Sequence, residues 1–397
     1  MMLRRTFYLA ALSFVFASSW SVQVHAQATT KAAQNTPPPP TPAPLTHKTA
    51  TTTVEVGTLD GVPYRIDLPD KWNRGLVVYF HGYTHAPVHF REDAPELAKL
   101  RHVIRSGYAV VQSAYAQAGW ALQSAPGDTE KLRKYFGKKF GQPKETFVTG
   151  ESMGGALVMM TIERNPKPYA GGLNLCGSVG STLDNMTRRF ALRAAFDYYF
   201  PGLLPKLDPV PSNFVETEAL RQKVIAALNG KPAAADAMRN LVGLPSNIEV
   251  ARMMVYYTYI IADFQHKAGG NPFENRNTIY TGTSSDLKSD AALNDGVMRY
   301  SADPKARKYL LDYYEANGKV TRPVVALHTL YDPIVPGSIL TPYQQTVAKA
   351  GHSANYVQQY VPRQGHCSMT ADDIGRAFDE LVTWVHTGKA PAPGLLR

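Results

Sequence analysis

A serine flanked by glycines is the first group in this sequence that could do chemistry. The stretch Gly150-Glu151-Ser152-Met153-Gly154 has the form G-x-S-x-G. In this pattern the serine occupies a tight turn between a strand and a helix, and the glycines leave room for neighbouring backbone. With 30 glycines in 397 residues, chance gives on the order of 0.1 such matches per chain, so a purely structural turn stays an alternative. A buried strand before the turn and a helix after it favour Ser152 as a nucleophile.

A serine hydroxyl becomes a good nucleophile only when a base removes its proton, and two later loops offer the partners. His366 follows the last predicted strand, and Asp332 follows the strand before it. Open parallel sheets place their sites at the carboxyl ends of strands, and the chain order Ser, Asp, His fits such a site. We therefore expect His366 to be the general base and Asp332 to orient it. Asp184 is the alternative acid. The alternative bases are His328, His386 and the trio His81, His85 and His89.

Acyl transfer also needs donors for the oxygen that becomes negatively charged. One donor is expected to be the backbone N–H of Met153, directly after the nucleophile. The other is expected in the loop after the predicted strand Gly75–Phe80, which reads His81-Gly82-Tyr83-Thr84. We assign it to the N–H of Tyr83, although His81-Gly82 could also form a simple turn.

The charge balance is basic but points to no nucleic-acid partner. The formal net charge is +10, and no run of five or six basic residues occurs, so a solvated basic surface explains it better than a nucleic-acid footprint. Residues 131–139 hold the densest basic cluster, which is typical of the polar face of a helix. The sequence also lacks a metal-ligand cluster and a dinucleotide-binding loop. It therefore predicts no metal and no cofactor.

The first 50 residues have the character of a targeting segment and a linker. Arg4 and Arg5 precede an apolar stretch, and Val24-His25-Ala26 ends in a small residue, as in a secretory signal peptide. The apolar stretch is shorter than the ~20 residues of a spanning helix, and no later stretch is long and apolar enough to span a membrane. We expect a signal peptide at 1–26, a Pro/Thr/Ala-rich linker at 27–51, and a secreted or periplasmic protein.

Export bears on the two cysteines, Cys176 and Cys367. Disulfides form in oxidising compartments, so these residues are candidates for one bond, with two buried free thiols as the alternative. Cys176 follows the strand after the predicted nucleophile turn, and Cys367 follows His366. Because a parallel sheet brings such loops to one edge, position favours a Cys176–Cys367 disulfide.

Hydrophobic patterning indicates the elements that must position these groups. A hairpin is expected at 52–68 around Asp60-Gly61. Strands and helices then alternate up to residue 175 and again from 324 to 387, which is typical of a parallel sheet covered by helices on both faces. Between them lies a long stretch without a clear buried strand. We expect an α/β, doubly wound, mostly parallel sheet with its core at 52–180 and 304–390, and a mostly helical cap inserted at 181–303. The expected strands after the hairpin are Gly75–Phe80, 108–113, 145–149, Gly171–Leu175, 324–328 and 355–360, and the expected helices are 94–106, 129–140, 153–164, 339–350 and Ala371–Thr387.

These motifs resemble the α/β-hydrolase superfamily over about 52–181 and 322–387. The likeness rests on the His81-Gly82 turn, the G-x-S-x-G turn, Asp332 in an Asp-Pro-x-Val-Pro setting, and His366 in Gly-His-Cys. It implies the triad Ser152, Asp332 and His366. More narrowly, the chain resembles secreted bacterial hydrolases described as esterase-like or prolyl-oligopeptidase-like, including a cap motif at 269–275, but no β-propeller precedes it.

Gly-His-Cys also resembles tannase and feruloyl esterase relatives, in which a disulfide braces the histidine loop. In that pattern a cysteine directly precedes the nucleophile, whereas Glu151 stands there in this chain. The tannase motif is therefore not met.

Three functions fit these observations. The leading hypothesis is a serine hydrolase that cleaves carboxylic esters of small-molecule or polymer-derived substrates, among them aromatic esters because Tyr256, Tyr257 and Tyr259 cluster in the cap. Helix core is the alternative explanation for those tyrosines. An amidase or peptidase with the same triad is the second function, and a non-catalytic binding protein on a hydrolase scaffold is the third. The sequence leaves the oligomeric state open.

Overall fold

A ten-stranded sheet forms the centre of residues 43–396, the part of the chain that this computed structural model describes. Strand order across the sheet is β1-β2-β3-β5-β4-β6-β7-β8-β9-β10. The pairs from β5 to β10 are parallel, while β1, β2 and β3 pair antiparallel at one side. The strands are β1 (Leu45–Lys48), β2 (Thr52–Leu59), β3 (Val62–Pro69), β4 (Gly75–Phe80), β5 (Ala109–Ser113), β6 (Glu145–Glu151), β7 (Gly171–Leu175), β8 (Val324–Tyr331), β9 (Tyr356–Gln364) and β10 (Gly394–Leu395).

Helices cover both faces of the sheet. Along β4, Val77 packs into one apolar cluster with helices α1 and α11, and Val78 packs into the other cluster with α2 and α3. This alternation follows from the two-residue period of a strand. The helices are α1 (Arg101–Arg105), α2 (Ala125–Phe140), α3 (Met153–Arg164), α4 (Thr182–Tyr199), α5 (Glu218–Gly230), α6 (Pro232–Val242), α7 (Asn247–Ala268), α8 (Leu287–Gly296), α9 (Pro304–Tyr313), α10 (Leu340–Lys349) and α11 (Ala371–Thr387).

Helices α4 to α9 lie between β7 and β8 in the sequence and build a helical cap. The 22-residue helix α7 is its centre and packs against α4, α5, α6 and α9. The apolar surface of such an insertion is buried through contact with the sheet domain. Buried residues of α4 and α7 accordingly belong to the same apolar cluster as those of α2 and α3. The side chains of segment 269–275 form hydrogen bonds to backbone within the cap. Asn271 donates to the Phe273 carbonyl at 3.0 Å, and Asn275 donates to the Met298 carbonyl at 2.9 Å.

The predicted fold class is confirmed by the sheet order and by the parallel pairing of its centre. The limits of the cap, 181–303, stay a prediction; helix α9, which the prediction assigns to the sheet domain, packs against α4 and α7. The expected signal peptide and most of the expected linker lie outside the described residues. Within the described range, no helix is long and apolar enough to cross a membrane.

Two local expectations differ from the structure. Residues 45–48, inside the predicted linker, form strand β1, because they pair with the edge of β2 through contacts that local composition does not reveal. The helix expected at 94–106 is shorter: a 3₁₀ turn begins at Ala98, and α1 covers only Arg101–Arg105.

Candidate active site

Ser152 occupies a sharp turn between β6 and α3. Its backbone has φ 58° and ψ −117°, a conformation that non-glycine residues rarely adopt and that structures retain mainly at functional sites. The Ser152 N–H donates to the Leu175 carbonyl at 3.0 Å, which ties the turn to the end of β7. A side chain at Gly154 would overlap the carbonyl oxygen of Phe80, and one at Gly150 would lie 2.6 Å from the carbonyl oxygen of Gly154. Both glycines are therefore needed for this close approach.

The three residues expected to form a triad are brought together. Nε2 of His366 lies 2.8 Å from Oγ of Ser152, and Nδ1 of His366 lies 2.7 Å from Oδ2 of Asp332. The imidazole thus bridges the serine and the carboxylate, with the Asp332 side chain fully buried and the His366 side chain 18% exposed. With Nδ1 donating to the carboxylate, Nε2 is left as an acceptor for the serine proton.

Backbone amides fix the carboxylate of Asp332. Its Oδ1 accepts hydrogen bonds from the N–H groups of Ile334 and Val335, both at 2.9 Å, which leaves Oδ2 directed at His366. Burial by itself acts to raise the pKa of Asp332, but the hydrogen bond and charge of His366 and the N–H of Val335 outweigh burial and hold the pKa below its ordinary value. The carboxyl group is therefore charged at neutral pH.

A second histidine, which sequence reasoning considered only as an alternative base, lies next to Asp332. His328 on β8 is buried, its Nε2 is 2.9 Å from the Val335 carbonyl oxygen and 3.6 Å from Oδ2 of Asp332. Burial lowers the pKa of His328, so the ring is neutral and donates from Nε2 to Val335. His328 thereby supports the loop that holds the carboxylate. The signal in the sequence was a histidine at the end of the strand that precedes the acid.

The loop carrying His366 is fastened to the loop carrying Asp332. The Gly365 N–H donates to the Tyr331 carbonyl at 2.8 Å, and the Thr329 hydroxyl donates to the Gly365 carbonyl at 2.8 Å. Gly365 has φ 107°, a conformation that glycine adopts without steric cost. These bonds set the position from which the imidazole reaches Ser152.

The expected disulfide is present in the structure. Cys176 and Cys367 are bonded, with Cα atoms 5.3 Å apart, within the range that disulfides require. Cys176 is fully buried, and its N–H donates to the Leu327 carbonyl of β8 at 2.8 Å. The Sγ atom of Cys367 lies 3.4 Å from Nε2 of His366, so the bond attaches the histidine loop to the end of β7.

The two sulfurs and His366 form the only grouping of potential metal ligands found in residues 43–396. Cysteine binds a metal ion as the thiolate, and both sulfur atoms are committed to the disulfide. The grouping therefore does not fit a metal site in the bonded protein.

The loop assigned to the oxyanion donor packs directly on the nucleophile. A side chain at Gly82 would lie 3.4 Å from Cβ of Ser152, so Tyr83 follows the point of closest approach. The N–H groups of Tyr83 and Met153 make no hydrogen bond to another group in the described range. Two unused donors next to a serine fit the requirement for oxyanion stabilisation.

A stacked pair of rings shapes the turn before these donors. His81 stacks on Tyr115 with ring centroids 4.0 Å apart, and the Tyr115 hydroxyl donates to the His81 carbonyl at 3.2 Å. Nδ1 of His81 lies 2.7 Å from the Gly82 carbonyl oxygen. Glu151, which stands where a cysteine would precede the nucleophile in the tannase pattern, instead accepts a hydrogen bond from Tyr79 at 3.0 Å and pairs with Lys99.

Other candidates from the sequence lie elsewhere. Asp184 is in the first turn of α4, where its N–H donates to the Ser181 hydroxyl, and it makes no hydrogen bond to His366 in the described part of the chain. His386 pairs with Glu145 at 2.7 Å. Among the acidic residues weighed from sequence, only Asp332 therefore reaches the histidine.

Cap helix α7 lies over the site and is attached on both sides of it. At one end, Glu249 of α7 accepts a hydrogen bond at 2.9 Å from the hydroxyl of Tyr331, the residue directly before Asp332. At the other end, Asp263 accepts the Trp120 N–H at 2.8 Å, and Lys267 donates to the Ala118 carbonyl at 2.7 Å. These contacts connect the cap to the loops around Ser152.

Three features together define the α/β-hydrolase fold: the sheet order, the strained serine turn after β6, and the histidine loop after β9. The resemblance inferred from sequence is confirmed at the level of the fold. No protein-family profile matches the chain.

Comparison with known proteins gives one curated relative and several solved structures. A 119-residue stretch is 26% identical to o-phthalyl amidase from Xanthobacter agilis, covering 29% of this chain and 25% of that relative. The chain thus spans about a quarter of that protein's length. Feruloyl esterase B from Aspergillus oryzae superposes with a TM-score of 0.48 at 10% identity, covering 88% of this chain and 86% of that one. Tannin acyl hydrolase from Aspergillus niger gives 0.44 at 13% identity, covering 88% and 83%.

Proposed function

We propose that this protein is a serine hydrolase that cleaves carboxylic ester bonds through an acyl-enzyme intermediate. The observation that carries the proposal is the continuous hydrogen-bonded line from Ser152 Oγ through His366 to Asp332, with distances of 2.8 and 2.7 Å. Such a line activates a serine by giving its proton a base and giving the base a fixed orientation. Both distances lie in the range from which a proton can be transferred directly.

In the proposed reaction, Ser152 Oγ attacks the ester carbonyl carbon as its proton passes to Nε2 of His366. The carbonyl oxygen becomes negatively charged and accepts hydrogen bonds from the N–H groups of Met153 and Tyr83. The carbon–oxygen bond to the alcohol then breaks, and the alcohol leaves with the proton from His366. Asp332 holds the protonated imidazole through Nδ1 and stabilises its charge.

The second half of the reaction returns the enzyme to its starting state. His366 takes a proton from a water molecule, and the resulting hydroxide attacks the acyl carbon. The tetrahedral intermediate uses the same two N–H donors. It collapses to a carboxylic acid, and Ser152 recovers its proton from His366.

Replacement of the nucleophile tests the proposal. Ser152→Ala is expected to lower kcat for p-nitrophenyl acetate by a factor of order 10⁴ or more and to abolish covalent labelling by a fluorophosphonate probe. Ser178→Ala is the matched control, since Ser178 is a buried serine near the turn that lies outside the hydrogen-bonded line. A Ser152→Ala protein that keeps a tenth of the wild-type rate, or that still labels, contradicts the proposal. Absent labelling of the wild-type protein favours a non-catalytic binding role.

Amide hydrolysis by the same triad is the second candidate function. It is supported by the stretch that is similar to o-phthalyl amidase, and the same serine chemistry serves both bonds. Rates on a p-nitrophenyl ester and on the p-nitroanilide of the same acid, measured side by side, separate the two candidates. Either enzyme is expected to cleave the more reactive ester faster. A ratio of ester rate to anilide rate no larger than leaving-group chemistry alone predicts identifies an amidase.

We also propose that the protein is exported. The support is the signal-peptide character of residues 1–26 and the Cys176–Cys367 disulfide, since such bonds persist in oxidising compartments. Expression in a bacterium followed by separation of cytoplasm, periplasm and medium tests this: a full-length protein that stays in the cytoplasm contradicts it.

A further inference from the structure

A cluster of aromatic rings lies between the loop after β4 and the cap helix α7. Tyr83 makes edge-on contacts with Tyr256 and Tyr259, with ring centroids 6.3 Å apart in both pairs. His85 stacks on Tyr259 at 4.3 Å with an angle of 11° between the ring planes. We refer to these four residues, Tyr83, His85, Tyr256 and Tyr259, as the aromatic wall.

The aromatic wall lies at the border of the apolar core, and Tyr83 and Tyr256 pack against the buried residues of that core. Tyr83, Tyr256 and Tyr259 are only partly buried, and the side chain of His85 is 51% exposed. Their neighbour on α7, Tyr257, is 2% exposed and belongs to the core. Helix α7 thus carries one core tyrosine, Tyr257, and two partly exposed tyrosines of the aromatic wall.

The aromatic wall begins at the residue that follows the contact between Gly82 and Ser152. Gly82 packs against Ser152, and Tyr83, the next residue, is the proposed oxyanion donor through its N–H while its ring belongs to the wall. A substrate carbonyl held by that N–H therefore lies beside the wall. A cavity of about 420 Å³ is lined by His85 and Tyr259 of the wall, with Phe214 among its other residues, and its size is in the range of small-molecule sites.

We infer that the aromatic wall is a binding subsite for an aromatic ring of the substrate. The inference rests on the proposed function and specifies its substrate class: esters that carry an aromatic ring on the acid or on the alcohol. Rings that meet edge-on or stacked gain about 0.5–1.5 kcal/mol beyond the burial of apolar area, which is about two- to ten-fold in kcat/KM. An aliphatic ring of similar size lacks this gain.

Matched esters separate aromatic recognition from simple apolar bulk. The acid side is tested with ethyl 3-phenylpropanoate against ethyl 3-cyclohexylpropanoate, and the alcohol side with benzyl acetate against cyclohexylmethyl acetate, following acid release in a pH-stat. We expect the phenyl ester to exceed its cyclohexyl partner by about five-fold in kcat/KM on at least one side. The side on which the preference appears tells which half of the ester contacts the aromatic wall.

Substitutions at Tyr259 link the preference to the wall. Tyr259→Leu is expected to bring the phenyl-to-cyclohexyl ratio close to one, while Tyr259→Phe, which keeps the ring, retains it. Tyr360→Leu is the matched control, since Tyr360 is a partly exposed tyrosine on β9 outside the wall. Fluorophosphonate labelling of every variant verifies that the triad is assembled.

Two results overturn the inference without affecting the proposed function: a wild-type ratio near one on both sides, or a preference that Tyr259→Leu leaves intact while the protein still labels. Failure of the wild-type protein to label or to cleave any of the four esters contradicts the proposed function itself. The two failures are therefore distinguishable.

Discussion

Removal of the Cys176–Cys367 disulfide tests how the histidine loop is held. The bond joins residues 191 positions apart, and the chain-entropy relation for a closed loop of this length gives up to about 5 kcal/mol of stabilisation at 25 °C. Unfolding entropy of about 2.1 cal/mol/K per residue over roughly 350 described residues converts this to a decrease in Tm of about 7 °C. We expect a decrease of that order in the Cys176→Ser/Cys367→Ser protein.

The same change is expected to lower activity before it unfolds the protein. Cys367 directly follows His366, and its Sγ lies 3.4 Å from Nε2 of His366, so loss of the bond releases the loop at the base. Small displacements of a catalytic group cost much of the rate. Initial rates on p-nitrophenyl acetate, measured at least 20 °C below the Tm of each protein, separate this effect from unfolding.

Wild-type protein treated with dithiothreitol is the comparison for the double variant. Titration of two free thiols in untreated, exported protein would show that the bond is absent in solution. A double variant with unchanged rate and unchanged Tm refutes the reasoning that the disulfide positions His366.

Three further predictions concern the surroundings of the triad. Asp332→Asn should lower kcat by a factor of about 10⁴, because His366 loses the group that fixes its tautomer. Asp184→Asn should change kcat by less than about two-fold. Steady-state kinetics on one ester compare the two variants, and the opposite ranking would assign the acid role to Asp184 on α4. Gly154→Ala should yield little folded protein, as judged by soluble yield and circular dichroism, because its methyl group meets the Phe80 carbonyl oxygen; a well-folded variant would contradict that close approach. Burial lowers the pKa of His328, so unfolding takes up a proton below about pH 6.5 and the free energy of unfolding decreases as the pH decreases. In urea titrations between pH 5 and 7, the slope of that free energy against pH should be smaller in His328→Gln, by up to about 1.4 kcal/mol per pH unit. Equal slopes would show that His328 is not the group responsible.

Two central strands of the sheet could be predicted closely from sequence because they are buried on both faces. Strand β4 reads as a continuous apolar run, and both it and β7 have the predicted limits. Helix α11 also has the predicted limits: Thr370 and Asp373 form a capping box at its start, and Gly388 takes a left-handed conformation at its end. Each of these signals is local in the sequence.

Predictions were less accurate where proline or distant contacts decide the structure. Helix α2 begins at Ala125 rather than at residue 129, because Pro126 lies in the first helical turn, where proline is tolerated. Strand β1 depends on its pairing with β2, which no local pattern specifies.

The same division applies to the candidate site. Ser152, Asp332 and His366 stand at strand ends, so chain order predicted that they meet. The support that His328 gives to the Asp332 loop, and the contact of Tyr83 with α7, depend on the packing of segments far apart in sequence. Residue types and spacing do not specify such packing.

The disulfide also has a topological consequence for proteolysis. It closes a covalent ring from Cys176 to Cys367 that contains the whole cap and strand β8. A single cut in any cap loop therefore leaves two polypeptides that stay linked, one carrying Ser152 and the other carrying Asp332 and His366. Such a nicked protein migrates as one species on a non-reducing denaturing gel and as two on a reducing gel. The cap can thus be opened by a protease without separating the residues of the candidate site.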